Sequence, residues 1–159
     1  MKSSTAVPIS TENWLQMLLR SADELARVAL GCDGARPLRG GVTGAEGLIG
    51  AYTSIYADSP MIDVGLASTA QGCQRLTKAF LGMSPDEPDL PLGYIADAMC
   101  EMSNIVVGQM KRQLHPLCGE LRNGLPVFST TELSPSDRTI VLPTMLGHVY
   151  ALLFLTHPS

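Results

Sequence analysis

Asp97, Glu101, Asn104, Gly108, Lys111 and Arg112 are the residues of this sequence whose types and spacing suit work on a partner molecule. On a helical wheel turning about 100° per residue they share an arc of about 100°. Ile95, Met99, Met102, Val106 and Met110 fall on the opposite side. The apolar side reads as core, and the polar side faces solvent or a partner. Burial of one side accounts for the pattern as a whole, but not for two of its members. Asn104 and Gly108 are poor helix formers, costing roughly 0.5 and 1 kcal/mol relative to alanine in a helix interior. A surface set by stability alone would carry Glu, Lys or Ala there. Glu101 and Asn104, at i and i+3, are neighbours on a helix surface. They make a compact carboxylate-plus-amide pair on a rigid element, and Gly108 leaves a shallow place where another surface can approach Asn104.

Other chemistries find less support. The four cysteines, Cys32, Cys73, Cys100 and Cys118, form no CxxC pair, and without a secretion signal they read as free, mostly buried thiols. His115 and Cys118 have a ligand-like spacing, but no second close pair completes a zinc site. No GxSxG elbow marks a nucleophilic serine. The glycine-rich run GCDGARPLRGGVTG at 31–44 lacks the Gly-Lys-Ser/Thr of a phosphate-binding loop and reads as a plain loop.

The elements that must hold the polar face follow from periodicity and punctuation. Ser10 or Thr11 caps a helix whose apolar residues recur as Trp14, Leu15, Leu18, Ala22, Leu25, Val28 and Ala29, ending near Gly31. Residues 45–56 and 61–67 read as two strands joined by Ala-Asp-Ser-Pro, a hairpin. Ser68 or Thr69 caps a short helix that shows Cys73, Leu76 and Phe80 on one side and stops near Gly82. An acidic, proline-rich connector at 83–93 leads into the longest helical pattern, 92–114, which His115-Pro116 is expected to end. The segments LPVFST, RTIVL and HVYALLFLT read as three strands separated by turn-rich GELRNG, ELSPSD and PTMLG.

At 159 residues, with 45% hydrophobic and 16% charged side chains, the chain is sized and composed for one domain with a buried core. Residues 1–9 read as a flexible N-terminal tail and 10–159 as that domain, an α+β fold with one mainly antiparallel sheet packed against a few helices. The formal net charge of -4 argues against a nucleic-acid partner. No apolar run approaches the roughly 18 residues a bilayer requires, and the N-terminus lacks the apolar stretch of a signal peptide. A cytoplasmic protein without a membrane partner is the expectation.

The run Asp97-Ala-Met-Cys-Glu101-Met-Ser-Asn104, with Pro126 about twenty residues on, resembles the signature of the CheC/CheX/FliY phosphatases. That signature is an acidic or serine residue, then Glu-x-x-Asn, then a distant proline. The resemblance spans roughly residues 10–155. It includes the long helix with its small residue at Gly108 and basic pair after it, the region 62–82 ahead of it, and Leu125-Pro126-Val127 as a following strand start. Only one motif is present, since the first helix has no Glu-x-x-Asn, and this favours the single-motif, CheX-like branch.

The resemblance implies a CheC-like fold and a specific activity: removal of the phosphoryl group from the aspartate of a phosphorylated, CheY-like response regulator. In these roles Asn104 orients the attacking water and Glu101 pairs with the regulator's lysine. Asp97 and Pro126 support the helix and its surroundings, and Asp97, Gly108 and Lys111 belong to the partner-binding face. The metal is a Mg²⁺ held by the regulator, with no cofactor on this chain, and a homodimer is expected. The chemistry is coherent, because phosphoryl transfer depends mainly on positioning and electrostatics. A neutral amide can donate to and accept from water without adding charge beside the phosphate. The alternative is a non-catalytic response-regulator-binding module on the same fold, which would tolerate Asn104→Ala.

Overall fold

The computed structural model describes residues 8–38 and 47–158. The expected tail at 1–9 falls almost wholly, and the glycine-rich loop at 31–44 partly, outside the described residues.

Helix α1 (Thr11–Glu24) begins where the Ser10 hydroxyl accepts the Asn13 N–H at 3.1 Å, an N-cap of the expected kind. A π-helical turn (Leu25–Ala29) continues it, and the chain leaves through Gly31 at φ +66°. Strand β1 (Ala35–Pro37) lies inside the segment read from sequence as loop. Three residues among glycines and prolines carry no alternation to reveal a strand; pairing with a distant partner makes it one.

Strands β2 (Ile49–Tyr56) and β3 (Pro60–Ser68) form the expected antiparallel hairpin. Thr69 caps helix α2 (Ala70–Phe80), its hydroxyl accepting the Gly72 N–H at 2.9 Å. The connector after α2 is tied down by a buried ammonium. Lys78 Nζ donates to the Glu87 carbonyl at 2.7 Å and approaches Asp89 at 3.3 Å.

Helix α3 (Leu92–Cys118) is one turn longer than the sequence suggests, since it runs through His115-Pro116. Proline removes one backbone donor and disfavours helix in the residue before it. Here the Gly119 N–H still bonds the His115 carbonyl at 2.9 Å, and the stop falls at Gly119, φ +75°.

Strands β4 (Arg122–Asn123), β5 (Val127–Ser129), β6 (Thr139–Leu146) and β7 (Val149–Thr156) complete the sheet. Two of them correct the sequence reading. GELRNG contains β4, and Pro143–Leu146 is strand rather than turn. Proline is tolerated inside a sheet where its missing donor has nothing to face. The Pro143 carbonyl accepts from Leu38, on the β1 side, and β1 has already ended there, its last pair being Pro37 with Thr144. The turn is confined to Gly147 and His148.

The sheet has the order β1-β6-β7-β3-β2-β4, with β5 also on β2, and every pairing is antiparallel. The main core lies between one face and the helices, with Leu18, Leu25, Ile55, Leu66, Leu76, Met99, Met102, Met110 and Leu153 fully buried. A smaller cluster of Leu48, Ala67, Leu152 and Phe154 covers part of the other face. No helix among the described residues is long and apolar enough to cross a membrane.

Candidate functional site

The two sides of α3 separate as its periodicity requires. Ile95, Met99, Met102, Val106 and Met110 are all buried against the sheet and neighbouring helices. Asp97, Glu101 and Arg112 are exposed, and Asn104, Gly108 and Lys111 are half-buried. One continuous helix therefore carries all six on one side. Pro126 is not on this element; it stands one residue before β5.

Asn104 is held from below. Ser103, the residue before it, is fully buried, and its hydroxyl lies 2.9 Å from that of Thr53 on β2, which is also fully buried. Thr53 Oγ1 further points at Asn104 Oδ1, 3.5 Å away. The paired hydroxyls satisfy each other in a place where an unpaired one would cost about 1–3 kcal/mol. They also fix the rotation of α3 about its axis, and so the direction of the Asn104 amide. The only side-chain contact of Asn104 among the described residues is that of its Oδ1, which leaves the NH2 donors free to act outward.

Glu101 and Asp97 make no ion pair among the described residues. Their field is nevertheless felt: Cys100, between them in sequence, has its thiol pKa raised, first by burial and then by the charges of Asp97 and Glu101. The thiol stays protonated, and the carboxylates are available to a cation arriving from outside.

Among the described residues nothing around Gly108 requires glycine. A Cβ built there meets only the Arg112 guanidinium, at 3.8 Å, an ordinary contact. The helix thus carries a residue costing about 1 kcal/mol relative to alanine with no internal contact to offset it.

One turn on, Lys111 is anchored: its ammonium donates to Asn123 Oδ1 on β4 at 2.6 Å. Asn123 also donates to the Gly124 carbonyl at 3.2 Å, and the Gly124 N–H bonds the Ser54 carbonyl at 2.9 Å. The polar face is therefore braced from β2 at two levels, by Thr53 below Asn104 and by β4 beside Lys111.

Sequence reasoning missed Thr53 and Asn123. Thr53 leaves a trace in the alternation of β2, where it occupies an inward position between Ala51 and Ile55, a polar residue on a core face. Asn123 leaves none, because only the pairing of β4 with β2 brings it to Lys111. Among the described residues no group of three or more His, Cys, Asp or Glu side chains gathers in a way that could hold a metal ion.

No family model and no curated protein matches this sequence. Solved structures do. The chain is similar to the chemotaxis protein CheX from Vibrio vulnificus, with TM-score 0.69 at 15% identity over 89% of this chain and 97% of that one. It is similar to the chemotaxis protein CheX from Desulfovibrio desulfuricans, with TM-score 0.67 at 16% identity over 90% and 97%. A chain of the CheX-CheY-BeF3-Mg²⁺ complex from Borrelia burgdorferi aligns with TM-score 0.69 at 12% identity over 91% and 96%. The fold is that of the CheX and CheC-like chemotaxis proteins.

Proposed function

We propose that this chain is a phosphatase acting on the aspartyl phosphate of a phosphorylated, CheY-like response regulator. The observation that carries the reading is the Glu101–Asn104 pair, outward on a continuous helix and braced from beneath by the Thr53–Ser103 hydroxyl pair. The Borrelia burgdorferi complex supports it by analogy: there a CheX is joined to a CheY carrying BeF3 and Mg²⁺, and BeF3 stands in for a phosphoryl group.

An aspartyl phosphate is an activated acyl phosphate, and a response regulator supplies the metal and a lysine of its own. What remains to be provided is a water held in line with phosphorus. Asn104 does this: its amide fixes the water without adding charge, whereas a carboxylate there would repel the phosphoryl group and an ammonium would place charge without geometry. Orientation of this kind contributes on the order of 10²-fold. Glu101, one turn away and without an ion-pair partner among the described residues, takes the regulator's lysine and sets the register. Asp97, Gly108 and Lys111 complete the docking face. The metal is the regulator's Mg²⁺. A homodimer is part of this reading, and light scattering at micromolar concentration tests it.

The test of the activity is a dephosphorylation time course. A panel of phosphorylated response regulators from the same genome is followed with and without the protein, and with Asn104→Ala. The expected result is faster decay of one regulator, lost in a variant that keeps its melting temperature. If wild type and Asn104→Ala accelerate decay equally, the assignment of Asn104 fails. If no regulator decays faster but one binds, the chain is a binding module.

A further inference from the structure

The polar face of α3 carries its charges in two blocks. Asp97 and Glu101 lie before Asn104, and Lys111 and Arg112 lie after Gly108. Glu101 and Arg112 are eleven residues apart in sequence, about 16 Å along a helix axis. The helix macrodipole does not account for this order, because its effect is confined to the first and last turns. These four residues sit inside a helix spanning Leu92–Cys118.

In the basic block Lys111 is anchored and Arg112 is exposed. Arg112 folds back so that its guanidinium lies over the bare backbone of Gly108, 3.8 Å from where a Cβ would stand. Lys111 is tied to Asn123 at 2.6 Å. Beside them is an open cleft of about 510 Å³ lined by Gly108, Lys111, Arg112, His115, Glu120 and Leu121. The one carboxylate in that lining, Glu120, is exposed and lies 3.3 Å from the His115 imidazole. Neither Lys111 nor Arg112 has a carboxylate partner among the described residues. On a chain of net charge -4, this cleft has two adjacent cations against one carboxylate in its lining, a local excess opposite in sign to that of the whole protein.

We infer that Lys111, Arg112 and the cleft beside them are the anion-binding half of the docking face, and that they take the carboxylates of an acidic segment on the partner protein. This rests on the reading of the Asn104 face as the regulator-docking face. A partner that presents a cation to Glu101 and acidic side chains to Arg112 can dock in one direction along α3. The reversed direction sets like charges against each other at both ends, and such juxtaposition disfavours wrong partners and wrong registers. A guanidinium meets a carboxylate with two parallel hydrogen bonds, and Lys111, already held by Asn123, loses less freedom on binding. Arg112 is on this account a positioning and specificity residue. The chemistry at phosphorus stays with Asn104, about two turns away.

The experiment measures association of the protein with BeF3- and Mg²⁺-loaded response regulators from the same genome, by stopped flow across a salt series, together with KM and kcat for dephosphorylation. The variants are Arg112→Gln, Arg112→Lys and the double variant Lys111→Gln/Arg112→Gln. The expected result is roughly tenfold slower association of the double variant at low salt, a flatter salt dependence, a raised KM and a retained kcat. Arg112→Lys should recover most of the rate, which a purely structural role would not produce. An unchanged association rate and salt slope in Arg112→Gln and the double variant would overturn the inference, as would a loss of kcat at constant KM. If a regulator binds the wild type and binds the double variant more slowly with a flatter salt slope, but its dephosphorylation is not accelerated, the docking inference stands and the phosphatase reading falls. If the wild type binds none of them, both fall.

Discussion

The hydroxyl of Thr53, on the second strand, lies 2.9 Å from that of Ser103, on the long helix, and both residues are completely buried. They are fifty positions apart in sequence, and they form a polar contact in the core directly beneath the candidate catalytic amide. Thr53→Val keeps the shape and removes the partner. The expected cost is about 1–3 kcal/mol of stability, from an unsatisfied hydroxyl. Phosphatase activity should fall with it, because Asn104 loses both the anchor of its neighbour and the Thr53 contact at 3.5 Å. Urea denaturation and the dephosphorylation time course, run on the same preparation, test the two effects. Stability and activity both at wild-type level would show that the hydroxyl pair does not hold the site.

Gly108→Ala should separate stability from function. The built Cβ meets nothing closer than 3.8 Å, so the substitution recovers helix propensity of about 0.5–1 kcal/mol. If the glycine serves close approach by a partner, affinity for the regulator should drop while the melting temperature rises. A calorimetric melt and a binding titration decide it; a rise in both would mean that the partner does not approach at Gly108.

Glu101→Lys reverses the charge that meets the regulator's lysine. Glu101 is exposed and has no ion-pair partner among the described residues, so the fold should be unaffected. Like-charge repulsion at the contact should weaken binding at least tenfold at low salt. Unchanged affinity in a titration would remove Glu101 from the interface.

Asp23 should make stability depend on acid. The Ala35 N–H, donating at 3.0 Å, and then Arg27, at 2.9 Å, hold its carboxyl pKa below the usual value. A carboxylate with a lowered folded pKa binds fewer protons in the folded state than in the unfolded one. Its contribution is thus fully present above the ordinary carboxylate value of about 3.9 and is lost as pH falls through the folded value. Both side chains are partly exposed, so solvent screens the ion pair and the effect is modest. Asp23→Asn should lower stability at neutral pH, converge with wild type once pH falls below the lowered folded value, and show a shallower acid slope in urea melts. Parallel pH profiles would show that the contact does not contribute.

The local features were legible because their causes lie within a few residues. Ser10 and Thr69 cap helices through hydroxyls three positions from the amides they accept. Ala-Asp-Ser-Pro turns the β2–β3 hairpin, and the 3.6-residue period of α3 by itself puts Met99, Met102 and Met110 on one side and Asp97, Glu101 and Asn104 on the other. The antiparallel α+β architecture followed from the order of such segments.

What sequence alone could not decide depends on partners far along the chain. Pro143 looks like a turn until β1 is seen to end beside it, and Arg122–Asn123 is a strand only because β2 pairs with it. His115-Pro116 reads as a helix stop, yet the surrounding backbone bonds carry α3 to Gly119. Most telling for function, periodicity placed Asn104 on the outside of its helix, but its bracing by Thr53, and that of Lys111 by Asn123, arise from packing across the sheet. A hydrogen bond between residues fifty positions apart leaves no periodic trace; it exists only once the strands and helix have been brought together.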